Sequence, residues 1–188
     1  MSDPKTKGNS MSALSDNVLL HQMSDDTASF ETLFYRHYDR VYGLLFRLLG
    51  NRVEAEDVTQ EVFLQLYLKP PGKRLEQNVS AWLYRVATNK GYNHIRGRNR
   101  RWQRNRVLVP DVTEDLPDPA DIASQEETKV AVRNALARLP QRQAQMLLLR
   151  QMGLSYGELA EICNVKPGSV GNLLARAGQA FREAYQKE

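Results

Sequence analysis

"LSYGELAEICNVKPGSVGNLLARA", Leu154 to Ala177, is the stretch on which the reading of the fold turns. Ser155 is placed to cap a short helix from Tyr156 to Cys163, in which Leu159, Ala160 and Cys163 point inward. Asn164 follows, one of the few non-glycine residues that tolerates left-handed backbone. Val165 then plugs the angle between two helices, and Pro167 pre-sets the first turn of the second. In that second helix Val170, Leu173, Leu174 and Ala177 share one face. Gly168, Asn172, Ala175 and Arg176 lie opposite, flanked by Ser169 and Gly171. Such a pair predicts a helix-turn-helix whose outward face would enter a DNA major groove. A helical hairpin with no ligand is the alternative that spacing alone leaves open.

Working upstream, the pattern predicts a helix from Gln141 to Met152 ended by Gly153, a break at Pro140, and a helix near Glu126 to Arg138. Between Val107 and Ser124 stand five acids, three prolines and no Lys or Arg, a composition that suits a flexible acidic linker. The expected organisation is therefore a lead-in without structure over 1–24, a helical domain over 25–106, a linker over 107–124, and the helix-turn-helix domain over 125–188. With no alternating strand pattern and no internal repeat, the expected class is all-α, as two small helical domains.

In the first domain, Phe30, Leu33, Phe34, Val41, Leu44, Leu45, Leu48 and Leu49 recur at helical spacing up to Gly50 and Asn51. Ala55, Val58, Val62 and Leu66 mark a second helix, stopped by "KPPGK". Ser80 is a candidate cap for a third through "AWLYRVATNKGYNHIRG", with Gly91 an unfavourable residue in its interior.

That third helix places Arg85, Asn89, Tyr92 and Arg96 on one face, opposite Leu83, Val86 and Ala87, and continues into "RGRNRRWQRNR", six arginines around Trp102. Guanidinium groups interleaved with rings suit unpaired nucleic acid, the one meeting phosphates and the other stacking on bases. A solvated charged face is the plain alternative. Lys90 and His94 fall on the inward side, as a snorkelling lysine and a core-edge histidine. In the second helix Asp57, Gln60, Glu61 and Leu64 lie on or near the outward side, a face that repels DNA and offers either a protein-docking surface or only a solvated acidic one.

Bulk numbers add limits. At 188 residues and 41% hydrophobic content the chain can build cores, while a net charge of +4 with a pI near 9.2 is weak evidence of a polyanionic partner. The single Cys163 forms no internal disulfide, and His21, His37 and His94 are too scattered for a local ligand pair, so neither metal nor cofactor is expected. Without a signal-peptide pattern or a membrane-length apolar run, the expected location is the cytoplasm, with no membrane insertion and with Met1, Met11 and Met23 all open as starts. No paired carboxylates, Cys/His cluster, phosphate-binding glycine loop or nucleophile motif suggests an enzyme.

Taken in order, "FETLFYRHYDRVYGLLFRLLGN", "AEDVTQEVFLQL", "AWLYRVATNKGYNHIRGRNRR", the acidic linker and "LARLPQRQAQMLLLRQMGLSYGELAEICNVKPGSVGNLLARA" resemble the bacterial extracytoplasmic-function (ECF) sigma factors of the sigma-70 family. The resemblance runs from Phe30 to Tyr185. It implies a region 2 domain and a region 4 domain that bind core RNA polymerase and direct promoter recognition and DNA opening. Asp57, Gln60, Glu61 and Leu64 would grip the β′ clamp helices, with the β subunit a further partner. Asn78, Ser80, Trp82, Arg85, Asn89, Tyr92, Arg96, Arg98, Arg100 and Arg101 would engage the minus-10 element, and Lys166, Gly168, Ser169, Gly171, Asn172 and Arg176 the minus-35 element. An anti-sigma factor is a further partner implied by family habit. The reading helix departs from the family's pattern: Gly171, Leu173 and Gly178 stand where many members carry longer or basic side chains. The rival reading is a stand-alone helix-turn-helix regulator, which leaves the arginine-rich and acidic helices of the first domain unused.

Overall fold

The computed structural model describes residues 13–72, 78–104 and 121–187, excepting the side chains of 99, 101–104 and 121–126. Among these residues the regular structure is helical: α1 (Asp16–Gln22), α2 (Thr27–Leu49), α3 (Arg52–Leu68), α4 (Val79–Arg104), α5 (Asp121–Arg138), α6 (Gln141–Gln151), α7 (Tyr156–Cys163) and α8 (Val170–Tyr185). Most of the linker expected over 107–124, and the lead-in up to residue 12, lie outside the described residues.

Short polar side chains set where the helices of the first domain begin. Asp26 accepts the Ala28 N–H at 3.1 Å, Asn51 the Glu54 N–H at 3.0 Å, and Asn78 the Ala81 N–H at 3.0 Å. The cap of α4 is thus Asn78 and not Ser80, and the helix runs past the expected end near Gly97 to Arg104. Gly50 closes α2 in the left-handed conformation, φ 72°, which a side chain would strain. Helices α2, α3 and α4 then pack mutually around Leu44, Leu45, Val58, Val62, Phe63, Leu66, Leu83 and Ala87, all essentially buried. Burying each large aliphatic among them contributes about 1.5 to 3 kcal/mol.

Gly91, which reads as a weak point, has a packing role. A methyl there would come within 2.6 Å of Leu48 Cδ2 and 3.1 Å of Leu45 Cδ2, so the missing side chain is what lets α4 lie close on α2.

The stretch expected to be an unstructured lead-in folds in part. Helix α1 buries Leu19 and Leu20, with Met23 just beyond it, and Asp16 bonds to Arg36 and, at 2.7 Å, to His37 of α2. Only Val18 to Leu20 is apolar in sequence, too little for a helix alone; a waiting surface on α2 supplies the rest.

In the second domain the helix-turn-helix forms as expected. Ser155 accepts the Glu158 N–H while Glu158 accepts the Ser155 N–H, a reciprocal capping box, and Asn164 takes the left-handed turn at φ 51°. Hydrogen bonds from Ser155 hold the Glu158 carboxyl below its ordinary value. Pro167–Ser169 form one tight 3₁₀ turn before α8 begins at Val170. Helix α8 packs on α5 and α6, α7 packs on α6, and the domain rests on the first through α7 against α4 and through α5 and α6 against α2. A single buried cluster runs through both domains.

Candidate nucleic-acid and protein interfaces

Helix α3 turns Ala55, Val58, Val62 and Leu66 inward, and this leaves Asp57, Gln60, Glu61 and Leu64 exposed, as the spacing predicts. The surface is more apolar than those four residues suggest. Leu68 is 63% exposed and Tyr67 51%, extending the patch around Leu64. A shallow groove of about 480 Å³ runs between Glu61, Leu64, Gln65, Leu68, Lys69 and Lys90. Lys90 is half-buried and donates to Glu61 at 2.9 Å, so its stem crosses the helix junction and its charge finds a partner at the rim. Two exposed apolar residues near the end of α3 were the sequence signal for this extension; they were obscured by the prolines that follow.

On α4, Arg85, Asn89 and Arg96 occupy one row, as expected, but Tyr92 in that row is not an exposed ring. It is 7% exposed, its hydroxyl has no hydrogen-bond partner among the described residues, and burial pushes its ionisation well above the ordinary tyrosine value. Trp82 is half-buried against the core, and Ser80 is half-buried beside it. Tyr92 shares the helical-wheel row of the exposed Arg85, Asn89 and Arg96, and spacing alone does not tell which member of a row is buried. Asn78 is committed to the cap and also donates to Glu161 of α7 at 2.8 Å. Arg98 pairs with Glu54 at 3.0 Å, and the same carboxylate meets His94 at 3.3 Å, so this histidine sits at the core edge as read. Arg100 is exposed, while the Arg101 side chain lies outside the described residues.

The row is bonded to the second domain. Arg85 donates from Nε to the Ile162 carbonyl at 3.1 Å and from Nη2 to the Glu161 carbonyl at 2.7 Å. Gln141 donates to Asn89 at 3.1 Å, Arg96 donates to Gln141 at 3.0 Å, and Gln145, itself buried, donates to Thr88 at 2.8 Å. Cys163 lies close by, and burial pushes its thiol up against the pull of Arg142 and Arg85. It is therefore a protonated interior residue and not a reactive thiolate.

The reading helix keeps its outward face clear. Lys166, Gly168, Asn172 and Arg176 are exposed together with Ala175, whereas Ser169 and Gly171 are half-buried at the flanks. Val170 and Ala177 are fully buried beneath them. The face offers two long cations and one short amide. Among the described residues no cluster of His, Cys, Asp and Glu suits a metal ion, and no helix is long and apolar enough to cross a membrane.

Known proteins share this arrangement. The family model described as Sigma-70 region 2 matches residues 33–101, and that described as Sigma-70, region 4 matches residues 129–180. The RNA polymerase sigma-H factor of Pseudomonas aeruginosa is 29% identical over 170 residues, 86% of this chain and 88% of that protein. The ECF RNA polymerase sigma factor SigW of Bacillus subtilis is 27% identical over 167 residues, 84% and 89% of the two chains. In fold, the chain is similar to the sigma factor RpoE solved with the anti-sigma factor NepR from Bartonella quintana, with a TM-score of 0.57 at 22% identity over 84% of this chain and 96% of that one. A region 2 domain carrying an arginine-lined helix, followed on the same chain by a region 4 helix-turn-helix, places this protein among the ECF sigma factors of RNA polymerase.

Proposed function

We propose that this sigma factor docks on core polymerase through α3 and reads its promoter with two separate faces. Asp57, Gln60, Glu61 and Leu64, extended by Tyr67 and Leu68, form the surface for the β′ clamp helices, acids at its rim and an apolar groove at its centre. Arg85, Asn89 and Arg96, with Asn78, Arg98, Arg100 and Arg101 around them, hold the minus-10 element and its unpaired strand. Capturing unstacked bases offsets the few kcal/mol lost on opening the duplex. Lys166, Gly168, Ser169, Gly171, Asn172 and Arg176 meet the minus-35 element in the major groove.

The observation that carries this reading is the co-occurrence, on one chain, of an arginine-rich helix of the first domain and an exposed reading helix of the second. No chemistry is assigned to the chain itself: polymerase makes the bonds, and the sigma factor works in the cytoplasm by binding alone. An anti-sigma factor is the natural antagonist, in keeping with the company of the RpoE structure. Transcription in vitro with purified core polymerase on a promoter library tests the proposal. Initiation at a defined promoter class is expected; a DNA footprint formed without polymerase, and no initiation with it, would favour the stand-alone regulator.

A further inference from the structure

Lys90 is a charged residue in a closely packed stretch of α4: Ala87, Thr88, Gly91 and Tyr92 around it are all buried. Its side chain is 27% exposed, its stem crosses to α3, and Nζ donates to Oε2 of Glu61, a residue whose own side chain is 60% exposed, at 2.9 Å. Stability does not account for this choice. An exposed ion pair contributes little to a fold, and ordering a lysine stem costs as much rotamer freedom as ordering almost any side chain. A leucine would cover the same junction at a smaller cost in order.

The pair takes its meaning from the groove beside it, which both residues line together with Leu64 and Leu68. A partner seated in this groove covers Glu61. An exposed glutamate brings two costs to such a contact: rotamer freedom lost on docking, and a carboxylate that is expensive to bury without a countercharge. Lys90 meets both before the partner arrives. Its stem is held by packing, so Glu61 is tethered to the fold and a cation already stands at hydrogen-bond distance. The tether uses Oε2, while Oε1 accepts no hydrogen bond among the described residues. A carboxylate is planar, so fixing one oxygen also limits where the other can point.

Resting on the α3 docking reading above, we propose that Lys90 is a positioning residue for core polymerase: from α4 it holds Glu61 by Oε2 and presents Oε1 to a hydrogen-bond donor of the docked partner. Lys90 itself need not touch polymerase. Its contribution passes through Glu61, which makes the two residues energetically coupled in binding and not in folding.

The test is equilibrium binding of the full chain to purified core polymerase. Lys90→Met removes the charge and keeps the length of the stem; Lys90→Gln, uncharged but polar, is carried beside it so that the result does not hang on one side chain. Both are expected to weaken binding by about fivefold without lowering the melting temperature, and Lys90→Arg should restore most of the loss. In a Glu61→Gln background Lys90→Met should cost nothing further. Lys69→Met is the control, since Lys69 lines the same groove without bonding to Glu61. The proposal is overturned by parent-like binding of both uncharged variants, by an equal loss in the Glu61→Gln background, or by an equal loss in Lys69→Met, which would make the effect one of groove charge. Leu64→Ala in the same assay separates the two levels. If it weakens binding while the Lys90 variants do not, the positioning role alone falls; if neither matters, the docking face on α3 falls as well.

Discussion

Tyr92 carries a hydroxyl buried without a partner among the described residues, and such a group costs about 1 to 3 kcal/mol relative to one that is satisfied or absent. Tyr92→Phe keeps the ring and removes the unpaired oxygen, so it is expected to raise stability by about 1 kcal/mol and to leave promoter opening unchanged. Chemical denaturation and permanganate footprinting check the two halves. On α8 the division of labour is between anchors and reader. Arg176 and Lys166 are exposed cations suited to phosphates, so removing either should weaken upstream binding on every sequence and reduce its salt dependence by about one counterion. Asn172 is an exposed amide able to pair with an adenine edge, and Asn172→Ala should cost about 1 to 3 kcal/mol at one base position only. A promoter-variant library transcribed with each mutant distinguishes them; a base preference lost in Arg176→Ala but kept in Asn172→Ala would reverse the assignment.

Helix crossings are where single residues act on whole elements. Gly91→Ala would gain about 1 kcal/mol of helix propensity and lose more to overpacking, because the new methyl meets Leu48 and Leu45 at 2.6 and 3.1 Å in a packed interior. A net loss of about 1 kcal/mol, seen as a melting temperature lower by about 2 to 4 °C, is expected. Docking of α1 depends on Asp16 in a different way. Partial burial works to raise its carboxyl, but hydrogen bonds and charge from His37 and Arg36 together outweigh this and hold it below the ordinary 3.8. A carboxyl depressed on folding stabilises the fold above its unfolded value, and that contribution is lost as pH falls through the folded one. The stability difference between parent and Asp16→Asn should therefore be full at neutral pH and shrink only below about pH 4. Urea unfolding across that range measures it; a difference that persists unchanged at pH 2 would remove the ion pair as the cause.

At the scale of the molecule, Leu64 and Leu68 of the patch on α3 stand exposed, and such leucines are costly to leave in water unless something covers them in use. Reversing charge at Asp57 and Glu61 together with Leu64→Ala should reduce co-purification with core polymerase by an order of magnitude or more, about 1.4 kcal/mol per factor of ten. Circular dichroism confirms that the variant is folded, since all three side chains are exposed. Undiminished binding by a folded variant would move the docking surface elsewhere.

Local chemistry determined a good deal without help. The Ser155 and Glu158 box, the left-handed Asn164, the apolar stripes of α2, α3 and α8 and the exposed row on α3 follow from side-chain type and helical period, which act within a few residues and are written in the order of the chain. Tertiary structure decided the rest. Leu19 and Leu20 form a buried helix only because α2 presents a surface to them, and Gly91 is an asset only because α2 crosses there. Tyr92 turns from candidate platform to interior residue, and Arg85 acquires the carbonyls of a helix 76 and 77 positions away. Periodicity reports which side of a helix is apolar. It carries no information on which part of a distant domain will arrive at the polar side, because that depends on the summed fit of surfaces that no short stretch of sequence contains.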